Sequence, residues 1–299
     1  MKILVSGASG LVGSELVPAL RQAGHEPVRL VRGGNAGEPN AIDWDPVSGR
    51  ITTAKLDGIE AIIHLAGDNL AEGRWTKEKK QRIHESRVQG TSLLADIAAR
   101  MTVPPKVFLS ASAIGIYGNR GDELLQEDSA WGNDFLAEVC KAWEAATLPV
   151  QEAGIRVVHL RFGVILSPKG GALAKMLTPF KLGMGGPAGD GEQYVSWVAM
   201  DDVLGAIQHV LAHEEISGPV NVVSPEPLKN RDFSIALGDA LGRPAKVPIP
   251  AMALKLAFGE MAEATLLASQ RVKPRKLLES GYQFRHAAVA DAFRALLKE

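Results

Sequence analysis

Three glycines at three-residue spacing, Gly7, Gly10 and Gly13, follow the apolar run Ile3-Leu4-Val5 and precede Leu16, Val17 and Leu20, which recur with helical period. A strand that turns through glycines into a helix aims unpaired backbone N–H groups and the positive helix end at one point, and that point suits a pyrophosphate. Gly7 permits the tight turn, Gly10 lets the backbone approach the phosphates, and Gly13 lets helix and strand pack closely. Ser9, Leu11 and Val12 belong to the same turn and are expected to present their backbone to the nucleotide. The competing reading is an ordinary glycine turn.

The next strand, Glu26–Val31, ends at Arg32, with Gly33 and Gly34 behind it. In a dinucleotide fold this position faces the adenosine ribose, where an acid would bind a free 2′-hydroxyl. A carboxylate would repel a 2′-phosphate, whereas a guanidinium can clamp one through two N–H bonds. NADP(H) is therefore expected in preference to NAD(H); the alternative is an arginine solvated at a strand end.

Elements of regular spacing must position these groups. Residues 41–44 read as a third strand, and 60–67 as a clearer fourth, closing in the small-residue turn Leu65-Ala66-Gly67 at the edge where a cofactor would lie. A charged helix over 76–100, a strand over 107–110, a single helix over 133–153 and a strand over 156–160 follow. The alternation predicts an α/β fold, a doubly wound parallel sheet with helices on both faces. From Gly170 to Gly191 the chain is too glycine-rich for one regular element and is expected to wall a pocket. A helix over 201–211 and a strand over 219–223 return to the main sheet, and the tail from 230 is largely helical. These assignments give a dinucleotide-binding domain over 1–165, completed by about 196–224. A smaller, mainly helical substrate domain would comprise 166–195 and 225–299.

Composition narrows the class. The chain has 299 residues, 46% apolar and 22% charged, with a net charge of −1, which gives no reason to expect nucleic acid or an anionic membrane as partner. Cys140 is the only cysteine, so no internal disulfide is possible and a reducing compartment fits. Glycines break the first apolar run as a secretory signal would not, and no run of about 18 apolar residues occurs, so a soluble, cytoplasmic protein is expected. No His, Cys or carboxylate cluster has metal-ligand spacing. A small-molecule substrate is the expected partner; its identity and the oligomeric state are not legible.

The glycine spacing, Leu65-Ala66-Gly67, Ser110-Ala-Ser112, Tyr117-Gly118 and Trp197-Val-Ala-Met-Asp-Asp202 resemble the extended short-chain dehydrogenase/reductase superfamily, built on the Rossmann fold. Leu65-Ala-Gly-Asp-Asn69, Arg74-Trp75 and Ser86-Arg-Val-Gln-Gly-Thr91 resemble its atypical "epimerase family" subgroup. Gln270-Arg-Val-x-Pro274, Lys276-Leu277 and Gly281 resemble that subgroup's C-terminal domain. The resemblance implies a Tyr-x-x-x-Lys pair on the helix after the fifth strand, the lysine lowering the tyrosine pKa for acid–base work. Counting back from Glu144, the two positions hold Leu136 and Cys140, and none of Tyr117, Tyr194 and Tyr282 has a lysine four residues on.

Further site residues follow from the same resemblance. Arg87 stands where an asparagine is usual and is expected to reach the cofactor's phosphates or an anionic substrate, unless it is a surface arginine beside Arg82. Ser112 keeps the position of a residue that hydrogen-bonds the substrate's reacting oxygen, or else caps a helix. Tyr117 would line the pocket, as would Trp197. Ser112 and Tyr117 are thus the candidate catalytic residues. His64, His159 and Cys140 read as core residues. Three functions compete: an NADP(H)-dependent oxidoreductase or epimerase with an atypical site, a non-catalytic NADP-binding sensor or binding module, and an ordinary nucleotide-sugar epimerase.

Overall fold

A computed structural model describes residues 1–33 and 40–297, so Gly34 lies outside the described residues. The central sheet has eight strands: β1 (Lys2–Ser6), β2 (Glu26–Val31), β3 (Ala41–Asp45), β4 (Arg50–Ile51), β5 (Ala61–His64), β6 (Val107–Ala113), β7 (Arg156–Phe162) and β8 (Gly218–Val222). Their spatial order is β8-β7-β6-β5-β1-β2-β3-β4, and all pairs are parallel except the terminal β3–β4 hairpin. The chain winds outward from β1 in one direction and from β5 in the other. The switch point therefore falls between those two strands, where open α/β sheets bind ligands.

Alternation along β1 shows why both faces are covered. Ile3 and Val5 pack with Leu16 and Leu20 of α1 (Gly13–Gln22), whereas Leu4 packs with Leu94 and Ala98 of α2 (Lys77–Ala99) on the opposite face. Thr76 caps α2 by accepting from the Lys79 N–H, and Asp134 caps α3 (Phe135–Ala145) by accepting from Ala137 N–H. A third apolar cluster joins α4 (Gly171–Lys181), α6 (Asn230–Ala240) and α7 (Val289–Leu296), outside the sheet. Between α4 and α6 in sequence, α5 (Met200–Ala212) packs on the same face of the sheet as α1. The fold is a doubly wound parallel sheet with helices on both faces and a helical C-terminal region.

Three local expectations are corrected, and one short strand is added. β6 extends through Ala113, because its small residues pair in register with β7 along its whole length, so Ser112 lies within the strand. The helix expected over 133–153 is two, α3 and a short turn over Leu148–Glu152, with Pro149 at the second start. The hairpin strand β4 has only two residues, too few for a periodic signal. The glycine-rich segment contains the regular helix α4, entered through Gly171 at φ +71°, a conformation that glycine adopts without strain. No helix among the described residues is long and apolar enough to cross a membrane.

Candidate functional site at the sheet's switch point

The turns after β1 and β5 are locked against each other by Ser6. Its hydroxyl accepts from the backbone N–H of Leu65 at 3.1 Å and of Ala66 at 3.3 Å, and lies 2.6 Å from Nδ1 of His64. With two N–H donors already on the oxygen, the Ser6 proton goes to Nδ1, leaving the imidazole proton on Nε2. His64 is fully buried, and burial lowers its pKa to about 3, so it stays neutral as a core residue. Gly7 sits at φ +66°, and a Cβ there would stand 2.8 Å from the Leu65 carbonyl carbon. A Cβ on Gly13 would come within 2.2 Å of the Gly7 oxygen, whereas one on Gly10 meets only that oxygen, at 3.2 Å. The three glycines thus serve different ends: turn, helix packing and, at Gly10, an open surface.

That surface belongs to a cleft of about 890 Å³. Gly7, Ser9, Gly10, Arg32, Leu65, Ala66 and Gly67 all line it, brought together from the carboxyl ends of β1, β2 and β5. Leu11, Val12 and Gly13 form the start of α1 behind the turn. Among the described residues their N–H groups donate to no protein acceptor, and the helix has no side-chain cap. Three free donors at the positive end of a ten-residue helix beside an open glycine fit a phosphate-bearing nucleotide. The exposed Arg32 and the partly buried Arg29 add positive charge farther along the cleft.

Sequence reasoning missed part of this wall. Trp44, Pro46 and Val47 enter from the end of β3, the position at which an α/β sheet presents its loops. Arg82, Glu85, Ser86 and Gln89 of α2 also line it. Their i, i+3, i+4, i+7 spacing marks one polar helix face, a pattern that could have been read as cleft-facing rather than solvated.

Ser112, Tyr117 and Trp197 are not on this cleft, which corrects the expectation that they line it. Ser112 is 2% exposed, and its hydroxyl donates to Glu144 Oε1 at 2.7 Å. Ser112, Arg161 and Asn221 stand in register on three adjacent strands, forming a polar row near their carboxyl ends. Arg161 binds Glu144 with Nε at 2.8 Å and Nη2 at 2.9 Å, and its Nη1 reaches Tyr117 Oη at 2.9 Å. Tyr117 in turn donates to Asn221 Oδ1 at 2.7 Å, so both its proton and its lone pair are engaged. Burial, partly offset by Arg161, pushes its pKa up to about 12. Burial alone would raise the Glu144 pKa; hydrogen bonds from Arg161 and Ser112, with the charges of His159 and Arg161, bring it below the usual range. Trp197 is fully buried and donates to the Glu226 carbonyl. The row is an internal structural network and leaves no hydroxyl free for a substrate.

Leu136 and Cys140 lie on α3 against Gly115, both buried, and burial pushes the Cys140 thiol up to about 12. Arg87 is neither a surface residue nor part of the cleft wall. It is 8% exposed behind Gly67, over the Trp143 ring at 5.0 Å. The glycine-rich segment does not line the cleft either, since Gly170 and Gly171 pack on Leu11. Among the described residues no group of three His, Cys, Asp or Glu could hold a metal ion.

A nucleotide cleft at the switch point of a doubly wound sheet defines the dinucleotide-binding class of α/β proteins. The model of the NAD dependent epimerase/dehydratase family matches residues 3–223, and that of a domain of unknown function, DUF1731, matches residues 249–296. The chain belongs to the NAD-dependent epimerase/dehydratase family. It is 40% identical over 290 residues to an epimerase family protein of Mycobacterium bovis, spanning 97% of this chain and 95% of that one. The crystal structure of human epimerase family protein SDR39U1 (isoform 2) with NADPH is similar at 32% identity and a TM-score of 0.92, over 99% of each chain. A nucleoside-diphosphate sugar epimerase from Corynebacterium glutamicum is 37% identical with a TM-score of 0.82, over 99% of this chain and 58% of that one. The subgroup resemblance read from Leu65-Ala-Gly-Asp-Asn69 and Arg74-Trp75 agrees with these relatives.

Proposed function

We propose that the cleft binds NADP(H) and that the protein is an oxidoreductase or epimerase of slow turnover on a small substrate. The observation that carries this reading is an open Gly10 and an Arg32 in one cleft, with the three free N–H donors of Leu11, Val12 and Gly13 at the helix start directly behind Gly10. Gly7, Ser9 and Gly10 would face the pyrophosphate, Leu65, Ala66 and Gly67 the neighbouring part of the cofactor, and Arg32 the 2′-phosphate. The NADPH in the human relative's crystal structure supports the same assignment.

Bound NADP(H) supplies hydride transfer; what this chain's residues add is position and charge. Proton transfer is where they are weak. Leu136 has no proton to give, the Cys140 thiol is held neutral by burial, and the Tyr117 phenol is committed to Asn221 and Arg161. General acid–base catalysis typically contributes about 10²–10⁴-fold, so turnover without it is slow. The same three residues favour a second reading, a non-catalytic NADP-binding sensor or binding module, over an ordinary nucleotide-sugar epimerase.

An NADPH-oxidation screen over sugars, aldehydes and ketones, with common nucleotide sugars assayed for epimerisation, tests the slow-turnover reading. Rates below about 1 s⁻¹, the low end for enzymes, are expected, with no epimerisation. Turnover above that rate that disappears in Ser112→Ala would make Ser112 catalytic and overturn the reading.

A further inference from the structure

Arg87 sits in the middle of α2 with its guanidinium largely buried and without an ion-pair partner. Among the described residues no carboxylate lies within ion-pair distance of it. Asp68, whose field reaches it, is held by Lys79 at 2.8 Å and approached by Arg82 at 4.0 Å. Nη1 donates to the Ile83 carbonyl at 3.0 Å. Nε and Nη2 have no acceptor among the described residues, and neither is sealed from solvent. The nearest surroundings are the face of Trp143, which gives a weak cation–π contact, the neutral Cys140 thiol and the backbone of Gly67, and none of them is an anion. A largely buried cation without a carboxylate partner is costly, and an anion reaching the two donors that still touch solvent would offset that cost.

The position is adjacent to the cleft. A Cβ on Gly67 would stand 3.4 Å from Arg87 Cζ and 3.6 Å from Nη1, so the guanidinium lies directly behind the Gly67 backbone that lines the cleft. Gly67 and Asp68 line the cleft wall, and Gly67 is itself exposed. The two donors left over, Nε–H and Nη2–H, form the planar side-on fork that matches the two oxygens of a carboxylate. A phosphate dianion would want further donors, and the middle of a helix supplies none.

We propose that Arg87 is the recognition group for a carboxylate on the small molecule that this protein takes at the Gly67 end of the cleft. The proposal rests on the reading that NADP(H) occupies the rest of the cleft, and it assigns the substrate class as an organic acid. Arg87 stands beside Cys140, so a positive charge reaches this end of the cleft from α2 although residue 140 itself carries none. That charge orients an anion and moves no proton.

Calorimetric titration of the NADPH-saturated protein with oxalate, malonate and succinate, and with malonamide and succinamide as neutral controls, tests this. At least one carboxylate should bind saturably and the amides should not. Arg87→Gln should weaken that binding at least tenfold while changing NADPH affinity less than twofold. Arg87→Lys, which keeps the charge and loses the fork, should fall between and guards against a glutamine variant that fails to fold. Carboxylate binding that survives both substitutions would overturn the proposal, as would the absence of any carboxylate binding to the wild type. A tenfold loss of NADPH affinity in Arg87→Gln would assign the residue to the cofactor instead. If the wild type binds no NADPH, the cofactor reading fails, and the same carboxylate series on the unloaded protein decides the role of Arg87 separately.

Discussion

Gly10→Val should weaken NADPH binding by a hundredfold or more and leave the protein folded. Gly10 is the one member of the glycine triplet whose side-chain direction is open: a Cβ there meets only the Gly7 oxygen, at 3.2 Å, and its φ lies outside the left-handed region. The backbone therefore tolerates a side chain after a shift of a few tenths of an ångström. The branched group then stands at the cleft wall beside the start of α1, where the phosphates would approach the backbone. Two charge-assisted hydrogen bonds lost at about 1.5–3 kcal/mol each correspond to at least about a hundredfold. Gly13→Val should behave differently, since its Cβ would overlap the Gly7 oxygen at 2.2 Å and the first turn of α1 could not form as it stands. Circular dichroism and calorimetry on the two variants separate these outcomes. Normal NADPH binding by Gly10→Val would place the phosphate site elsewhere.

The second large effect is on stability. Arg161 is 1% exposed and makes four hydrogen bonds: two to Glu144, one to Tyr117 and one to the Glu127 carbonyl. Arg161→Met would leave the Glu144 carboxylate buried with only the Ser112 hydroxyl and His159, whose Nδ1 is 3.7 Å away. Breaking a buried pair from one side costs about 3–5 kcal/mol, because the partner's charge stays buried and uncompensated. Urea denaturation should show the unfolding free energy lowered by that amount, as a midpoint shifted to lower urea at unchanged slope. The double variant Arg161→Met/Glu144→Leu removes both charges and should recover at least half of the loss. A cost below about 1 kcal/mol for the single change would mean that the row across β6, β7 and β8 does not hold the fold together.

The cofactor half of the molecule was legible because its signals are local. Ile3-Leu4-Val5, the glycine triplet and the period of Leu16, Val17 and Leu20 fall within twenty residues, and Glu26–Val31 forms the strand that the sequence predicts. The roles of Ser112 and Tyr117 were not legible because their partners are remote, Glu144 at a separation of 32 residues and Asn221 at 104. A serine or tyrosine at the carboxyl end of a parallel strand is equally suited to a substrate and to a buried carboxylate; only the arrival of Arg161 and Asn221 on neighbouring strands decides between them. Arg87 illustrates the same limit from the other side. A helix carrying Lys77, Lys79, Lys80 and Arg82 suggests a solvated face, yet position 87 turns inward beneath Gly67, where α2 packs on α3. The helix α4 was hidden by glycines at its start, which read as loop when no neighbouring element is known.

The proposed preference for NADP(H) rests on Arg32, and it is decided by titrating the wild type and Arg32→Ala with NADPH and with NADH in a calorimeter. The wild type should bind NADPH at least about tenfold more tightly than NADH, one charge-assisted contact to the 2′-phosphate being worth about 1.5–3 kcal/mol. In Arg32→Ala the two affinities should converge through a loss for NADPH alone. Equal affinities in the wild type, or a ratio left unchanged by the substitution, would contradict the assignment of the cleft to NADP(H).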